Sequence, residues 1–153
     1  MSTSDNDTYL GDAGANNNIA DFDGGDDLFI GYGGNDSFVG GGGDDYIIGG
    51  AGNDRLIGGA GDDVLRAGTG NDYLGGGTGN DLLLGLLGDN KLNGGVGEDI
   101  LVAGSGDNVL VGGSDGDKFV FTDKFGGHGE AKVVDFTIGE DSLHIISDTV
   151  TEF

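Results

Sequence analysis

The feature that most constrains this chain is a period of nine that runs without a gap from Phe22 to Val120. It gives eleven units: FDGGDDLFI, GYGGNDSFV, GGGGDDYII, GGAGNDRLI, GGAGDDVLR, AGTGNDYLG, GGTGNDLLL, GLLGDNKLN, GGVGEDILV, AGSGDNVLV and GGSDGDKFV. Position eight is apolar throughout: Phe29, Phe38, Ile47, Leu56, Leu65, Leu74, Leu83, Leu92, Leu101, Leu110 and Phe119. Position six reads Asp27, Asp36, Asp45, Asp54, Asp63, Asp72, Asp81, Asn90, Asp99, Asn108 and Asp117. Position four is glycine in ten units, with Asp115 the exception. A fixed short period of this kind marks an array in which each unit rests on its neighbours.

Six positions of glycine, small residues and Asp or Asn describe a turn, because glycine supplies backbone angles closed to other residues. The remaining x-apolar-x describes a three-residue strand with its middle side chain on one face. Each unit reverses direction, so two make a coil of 18 residues and alternate units stack at about 4.8 Å. Two sheets face each other across a core supplied by position eight alone. Stacking sets position-six residues above one another, and glycine turns leave carbonyl oxygens free to point into the gap. Such oxygen cages, without nitrogen or sulfur, suit a hard cation, and their flexibility suits calcium better than magnesium. Polar turn formation alone is the competing reading of these aspartates.

Composition narrows the chemistry. With 37 glycines, no proline and no cysteine among 153 residues, and only 35% hydrophobic residues, a thick layered core and a disulfide framework are excluded. The formal charge of -22 repels nucleic acid and anionic membrane surfaces and makes cations the natural partners. Without counter-ions so acidic and glycine-rich a chain has the composition of a disordered one. The segment MSTSDNDTYLGDAGANNN carries neither a basic start nor an apolar run, so it reads as neither a secretory signal nor an anchor, and no membrane insertion is expected.

The unit is similar to the nonapeptide G-G-x-G-x-D-x-U-x of the repeats-in-toxin (RTX) family, and GGAGNDRLI (49–57) and GGTGNDLLL (76–84) fit it at every specified position. The resemblance spans 22–120 and implies an all-β, right-handed parallel β-roll, a two-sheet solenoid that binds calcium and occurs in bacterial proteins exported by type I secretion. It implies ions held by position-six side chains of two stacked turns and by carbonyls at positions two and four. Those carbonyls are Gly34, Gly41, Gly43, Gly50, Gly52, Gly59, Gly61, Gly68, Gly70, Gly77, Gly79, Gly95 and Gly97. Departures are Asp23, Tyr32 and Leu86 at position two, Asp115 at position four, and the two asparagines. Sorting position six by alternate units gives one row from Asp27 to Asp117 with aspartate throughout. The other runs Asp36, Asp54, Asp72, Asn90, Asn108, so about seven strong calcium sites are expected with up to two weaker, at Asn90 and Asn108. Inward rotation of Asp89 and Asp107 would offset the missing charge.

Residues 1–21 read as a degenerate amino-terminal cap, with Asp7 and Asn16 at position six, Tyr9 at position eight, Asn18 in a place meant for an apolar residue, and two extra residues before Phe22. Residues 121–146 read as a small carboxy-terminal β cap, with apolar runs around Lys132–Phe136 and Ser142–Ile146 and a turn at Ile138–Asp141. Asp135, Phe136, Gly139, Glu140, Asp141 and Leu143 resemble the D-F-x-x-G-E-D-x-L segment that follows RTX rolls. The tail 147–153 is a candidate export signal or a boundary of the fragment.

Positions seven and nine point outward, and in the odd units they are mostly apolar: Leu28, Ile30, Tyr46, Ile48, Leu82, Leu84, Ile100 and Val102. A face of that kind is expected to be covered by the carboxy-terminal segment, a neighbouring domain or a second copy in a homodimer. No enzyme is expected. His128 and His144 have no nucleophile beside them, and pairs such as Asp26/Asp27, Asp44/Asp45 and Asp62/Asp63 point in different directions along a turn. Three functions fit: a calcium-binding structural or folding module of a secreted protein, in adhesion or a surface layer; an accessory roll of a secreted protease, lipase or alginate epimerase; and an ice-binding roll, for which position three supplies only Thr69 and Thr78.

Overall fold

The computed structural model describes residues 6–15, 24–122 and 129–146, and all regular elements among them are strands. They are β1 (Thr8–Leu10), β2 (Leu28–Ile30), β3 (Ser37–Gly42), β4 (Tyr46–Ala51), β5 (Arg55–Ala60), β6 (Val64–Thr69) and β7 (Tyr73–Thr78). After them come β8 (Leu82–Leu87), β9 (Lys91–Val96), β10 (Ile100–Ala103), β11 (Asn108–Ser114), β12 (Lys118–Thr122), β13 (Ala131–Val133) and β14 (Ser142–Ile146). One sheet has the order β1-β2-β4-β6-β8-β10-β12-β14 and the other β13-β11-β9-β7-β5-β3. Every pairing is parallel, and within the repeat partners lie one coil of 18 apart, as in Ile47↔Leu65 and Leu56↔Leu74. The two-sheet solenoid expected from the period is the fold.

Strand length departs from the sequence reading. Six strands from β4 to β9 have six residues rather than three, because positions one to three of the next unit continue the ladder, as in Gly50↔Gly68 and Ala51↔Thr69. Small side chains made that stretch resemble turn, yet parallel pairing needs only the backbone. The turn proper is positions four to six.

The core is also wider than position eight. The position-eight side chains from Phe29 to Phe119 are all at most 1% exposed, but position one faces inward too, through buried Ala67 and Ala103, and so does position six. Side chains alternate across a strand, which puts positions six, eight and one on the same side.

Both ends fit the stack. Tyr9 pairs with Phe29, 20 residues on, two more than the coil of 18, and its ring lies 6.5 and 5.6 Å from those of Phe29 and Phe38. Asn16, Asn18, Phe22 and Asp23 lie outside the described residues. At the other end β13 pairs with β11 and β14 with β12, so the expected cap is a last coil with Val133 and Leu143 at position eight. Asp135 seals the edge beyond β13 by accepting from the N–H groups of Gly112 and Gly113 at 3.0 and 2.9 Å, and the Phe136 ring lies 6.1 Å from Phe119. His128 and the tail 147–153 lie outside the described residues, and His144 is exposed on β14.

Residues 129–146 therefore stack on the end of the roll and do not cover the apolar outer face. Leu28, Ile30, Ile48, Leu82, Leu84 and Val102 are half-buried there, and Tyr46 and Ile100 are exposed.

The departures from the motif coincide with local strain. Among the described residues, the non-glycine residues with positive φ are Tyr32 (69°), Leu86 (62°) and Asp115 (78°). Gly68, the partner of Leu86 one coil earlier, has φ 126° and sits against the carbonyl of Gly50. The left-handed region costs a non-glycine residue about 1–2 kcal/mol, and about 0.5–1 of that is offset by the greater freedom of unfolded glycine. Leu86→Gly is thus expected to stabilise the roll by up to about 1.5 kcal/mol. Thermal unfolding at saturating calcium measures it, and a lower melting temperature would show that packing of the leucine outweighs the strain.

Candidate metal centres

Each position-six side chain links two coils. The N–H of Asp27 donates to Oδ1 of Asp45 at 2.8 Å, and the same bond runs Asp45 to Asp63, Asp63 to Asp81 and Asp81 to Asp99 at 2.8 Å, then Asp99 to Asp117 at 3.0 Å. Asp7 joins the start of this row (2.7 Å) and Asp141 its end (2.9 Å). Asp141 was not legible as a member, since it lies 24 residues beyond Asp117 instead of 18. In the opposite row the bonds run Asp36 to Asp54 (2.8 Å), Asp54 to Asp72 (2.7 Å), Asp72 to Asn90 (2.9 Å) and Asn90 to Asn108 (3.0 Å). There the row stops, because the residue paired with Asn108 in the next coil is Ala131.

The ladder uses one carboxylate oxygen. The other, Oδ2, is buried and has no hydrogen-bond donor in Asp27, Asp45, Asp54, Asp63, Asp72, Asp81 and Asp99. These side chains are only 1–3% exposed. A methyl group added to Gly40, Gly58 or Gly76 at position one would strike Oδ2 of its own unit, and at Gly40 and Gly76 it would also meet the carbonyl of position one in the next coil, Gly58 or Gly94, at 2.7 Å. Position-one carbonyls therefore approach the carboxylates, a donor set that the sequence reading missed. The restriction of position one to glycine or alanine from Gly31 onward was the available signal. Carbonyls at positions two and four stack coil on coil, each under the α-carbon of the same position in the next, as Gly41 under Gly59 and Gly43 under Gly61.

Desolvation by burial, reinforced by neighbouring aspartates, pushes the Asp63 and Asp99 carboxyls up to about 7 and those of Asp45, Asp54 and Asp117 up to about 6. Asp72 and Asp81 are raised for the same first cause. The calcium-free fold is then most favoured below about pH 4, where both states are protonated, and loses stability as pH rises through about 6 to 7. Circular dichroism in chelator is expected to show more β structure at about pH 4 than at about pH 8. The reverse order would contradict the burial of these groups.

A buried carboxylate oxygen with no donor needs a cation or a proton. Among the described residues no three His, Cys, Asp or Glu side chains converge, so carboxylates of adjoining coils must be completed by backbone carbonyls. That all-oxygen set fits calcium. Position five stays outside: Asp44 donates its N–H to Asp26 Oδ1 at 3.0 Å, and Asp107 to Asp89 Oδ1 at 2.8 Å. Asp89 and Asp107 are exposed and do not turn inward.

The family profile described as RTX calcium-binding nonapeptide repeat (4 copies) matches residues 23–56, 48–83 and 84–119. The chain belongs to the RTX calcium-binding repeat family. No curated protein and no solved structure matches it. An RTX roll is a structural calcium-binding module and is not catalytic by itself. Proteins that carry it are typically extracellular, and among the described residues no helix is long and apolar enough to cross a membrane.

Proposed function

We propose that this RTX chain is a calcium-switched folding module of a secreted protein, exported unfolded by type I secretion and folded outside the cell, with a place in adhesion or a surface layer. The observation that carries this is the set of buried Oδ2 atoms without donors, which makes the folded state incomplete without cations. Ions sit between stacked turns, against the paired aspartates and the turn carbonyls. Extracellular modules of this ligand type work at about 10⁻⁴ to 10⁻³ M calcium, far above cytosolic levels, so the switch is thrown by export itself. Equilibrium dialysis against radioactive calcium tests the reading. Several ions per chain at millimolar calcium are expected, and retention of none would overturn it.

The apolar outer face is proposed as a contact with a further polypeptide, a second copy or an adjoining domain. Sedimentation of the calcium-loaded Leu82→Lys/Leu84→Lys variant is expected to show reduced association; unchanged association and solubility would count against the contact. Nothing favours ice binding, since Thr69 pairs with Ala51 and Leu87 in one sheet while Thr78 pairs with Ala60 and Val96 in the other.

A further inference from the structure

We infer that Asn90 and Asn108 close their stretch of the second row to calcium, their side-chain amides standing in for the ion, so that these turns are held by hydrogen bonds alone. The inference rests on the calcium reading of the aspartate turns. In both asparagines Oδ1 keeps its place in the ladder, accepting from the N–H of Asp72 at 2.9 Å and of Asn90 at 3.0 Å. The ladder fixes which way each amide faces, because a backbone N–H there requires an acceptor. The inner atom is therefore Nδ2, where an aspartate has its second oxygen.

That nitrogen is fully used. Nδ2 of Asn90 donates to the carbonyls of Gly85 (3.0 Å) and Gly88 (3.1 Å), positions one and four of its own turn. Nδ2 of Asn108 donates to Gly106 at 2.9 Å and, more weakly, to Gly104 at 3.4 Å. A carboxylate oxygen facing the same carbonyls has no hydrogen to give and needs a cation between them. An amide supplies the positive end itself and takes up the carbonyl oxygens that an ion would require. Calcium entering between Asn90 and Asn108 would have to break these bonds, and neither position-six residue would offer it a charge.

Three surrounding features act in the same direction. Asp89 and Asp107 are engaged on the outside, accepting from Asp107 and Glu130 N–H groups at 2.8 and 2.9 Å. Ala131 follows Asn108 in the row and brings no oxygen from its side chain. Leu86 bends the turn to φ 62°, and Gly104 above it lies against the Leu86 carbonyl without the positive φ of the regular position-two glycines. The first row carries aspartate from Asp7 to Asp141, whereas the second carries none at position six beyond Asp72.

The test compares calcium counts at saturation, by equilibrium dialysis, for the full chain, Asn90→Asp/Asn108→Asp and Asp45→Asn. The double variant is expected to bind at least about one more ion than the unaltered chain, and Asp45→Asn to bind fewer. An anomalous-scattering map of the unaltered chain should show density between Asp45 and Asp63 and none between Asn90 and Asn108. Density between the asparagines equal to that between Asp45 and Asp63, or an unchanged count in the double variant, overturns the inference. An unchanged count in Asp45→Asn would instead overturn the calcium reading of the aspartate turns.

Discussion

In chelator at neutral pH the chain is expected to lose most of its β-sheet circular dichroism, and to recover it cooperatively as calcium reaches the millimolar range. The stack makes the aspartates of one row neighbours, with backbone–carboxylate bonds of 2.7–3.0 Å from coil to coil, and buries oxygens that have no donor. Against this stands a core of one position-eight side chain per unit with small position-one residues beside it. One ion contributes about 0.4 kcal/mol when free calcium equals its dissociation constant and about 1.4 kcal/mol at tenfold excess. Spread over the roughly seven strong sites that the sequence leads one to expect, that is about 3 to 10 kcal/mol, the size of a whole domain's stability. Calcium is thus expected to decide whether the chain folds. A β signal undiminished by chelator would show that hydrophobic packing alone suffices.

Leu74→Ala is expected to cost about 2–5 kcal/mol. Leu74 is fully buried and pairs with Leu56 on one side and Leu92 on the other, so its loss opens the middle of the column. No second layer can collapse into the space. The melting temperature at fixed calcium should fall sharply, yet the calcium midpoint should move little: with about seven ions bound, as expected from the sequence, about 3 kcal/mol shared among them is offset by only about a twofold rise in free calcium. A tenfold shift of the midpoint would mean that far fewer ions bind together with folding.

Much of this was readable from residue order, because the period of nine fixes coil, register and row at once. Tyr9 and Asp7 could be placed despite two extra residues, since an apolar residue two after an aspartate preserves the phase. Position one was misread as turn because glycine looks the same whether its backbone turns or pairs. Asp141 stayed hidden because the chain between Phe121 and Glu140 leaves the period, and stacking rather than spacing returns it to the row. That the asparagine amides bind turn carbonyls depends on side-chain direction, on which a column of letters is silent.

Because partners along a sheet are 18 residues apart while the motif recurs every nine, the roll has a parity that the motif does not record. Removing 18 residues leaves every downstream unit on its own side. Removing one nonapeptide, such as 76–84, leaves each remaining unit with its motif unaltered, yet it transfers Asn90 and Asn108 to the edge that carries Asp27, Asp45 and Asp63. Asp99 and Asp117 then follow Asp72, and the outward Ile100 and Val102 move to the face that bears Arg55. Two homologous arrays can therefore match unit for unit and still differ in which edge is charged and which face is greasy, according to whether their lengths differ by an odd or an even number of units.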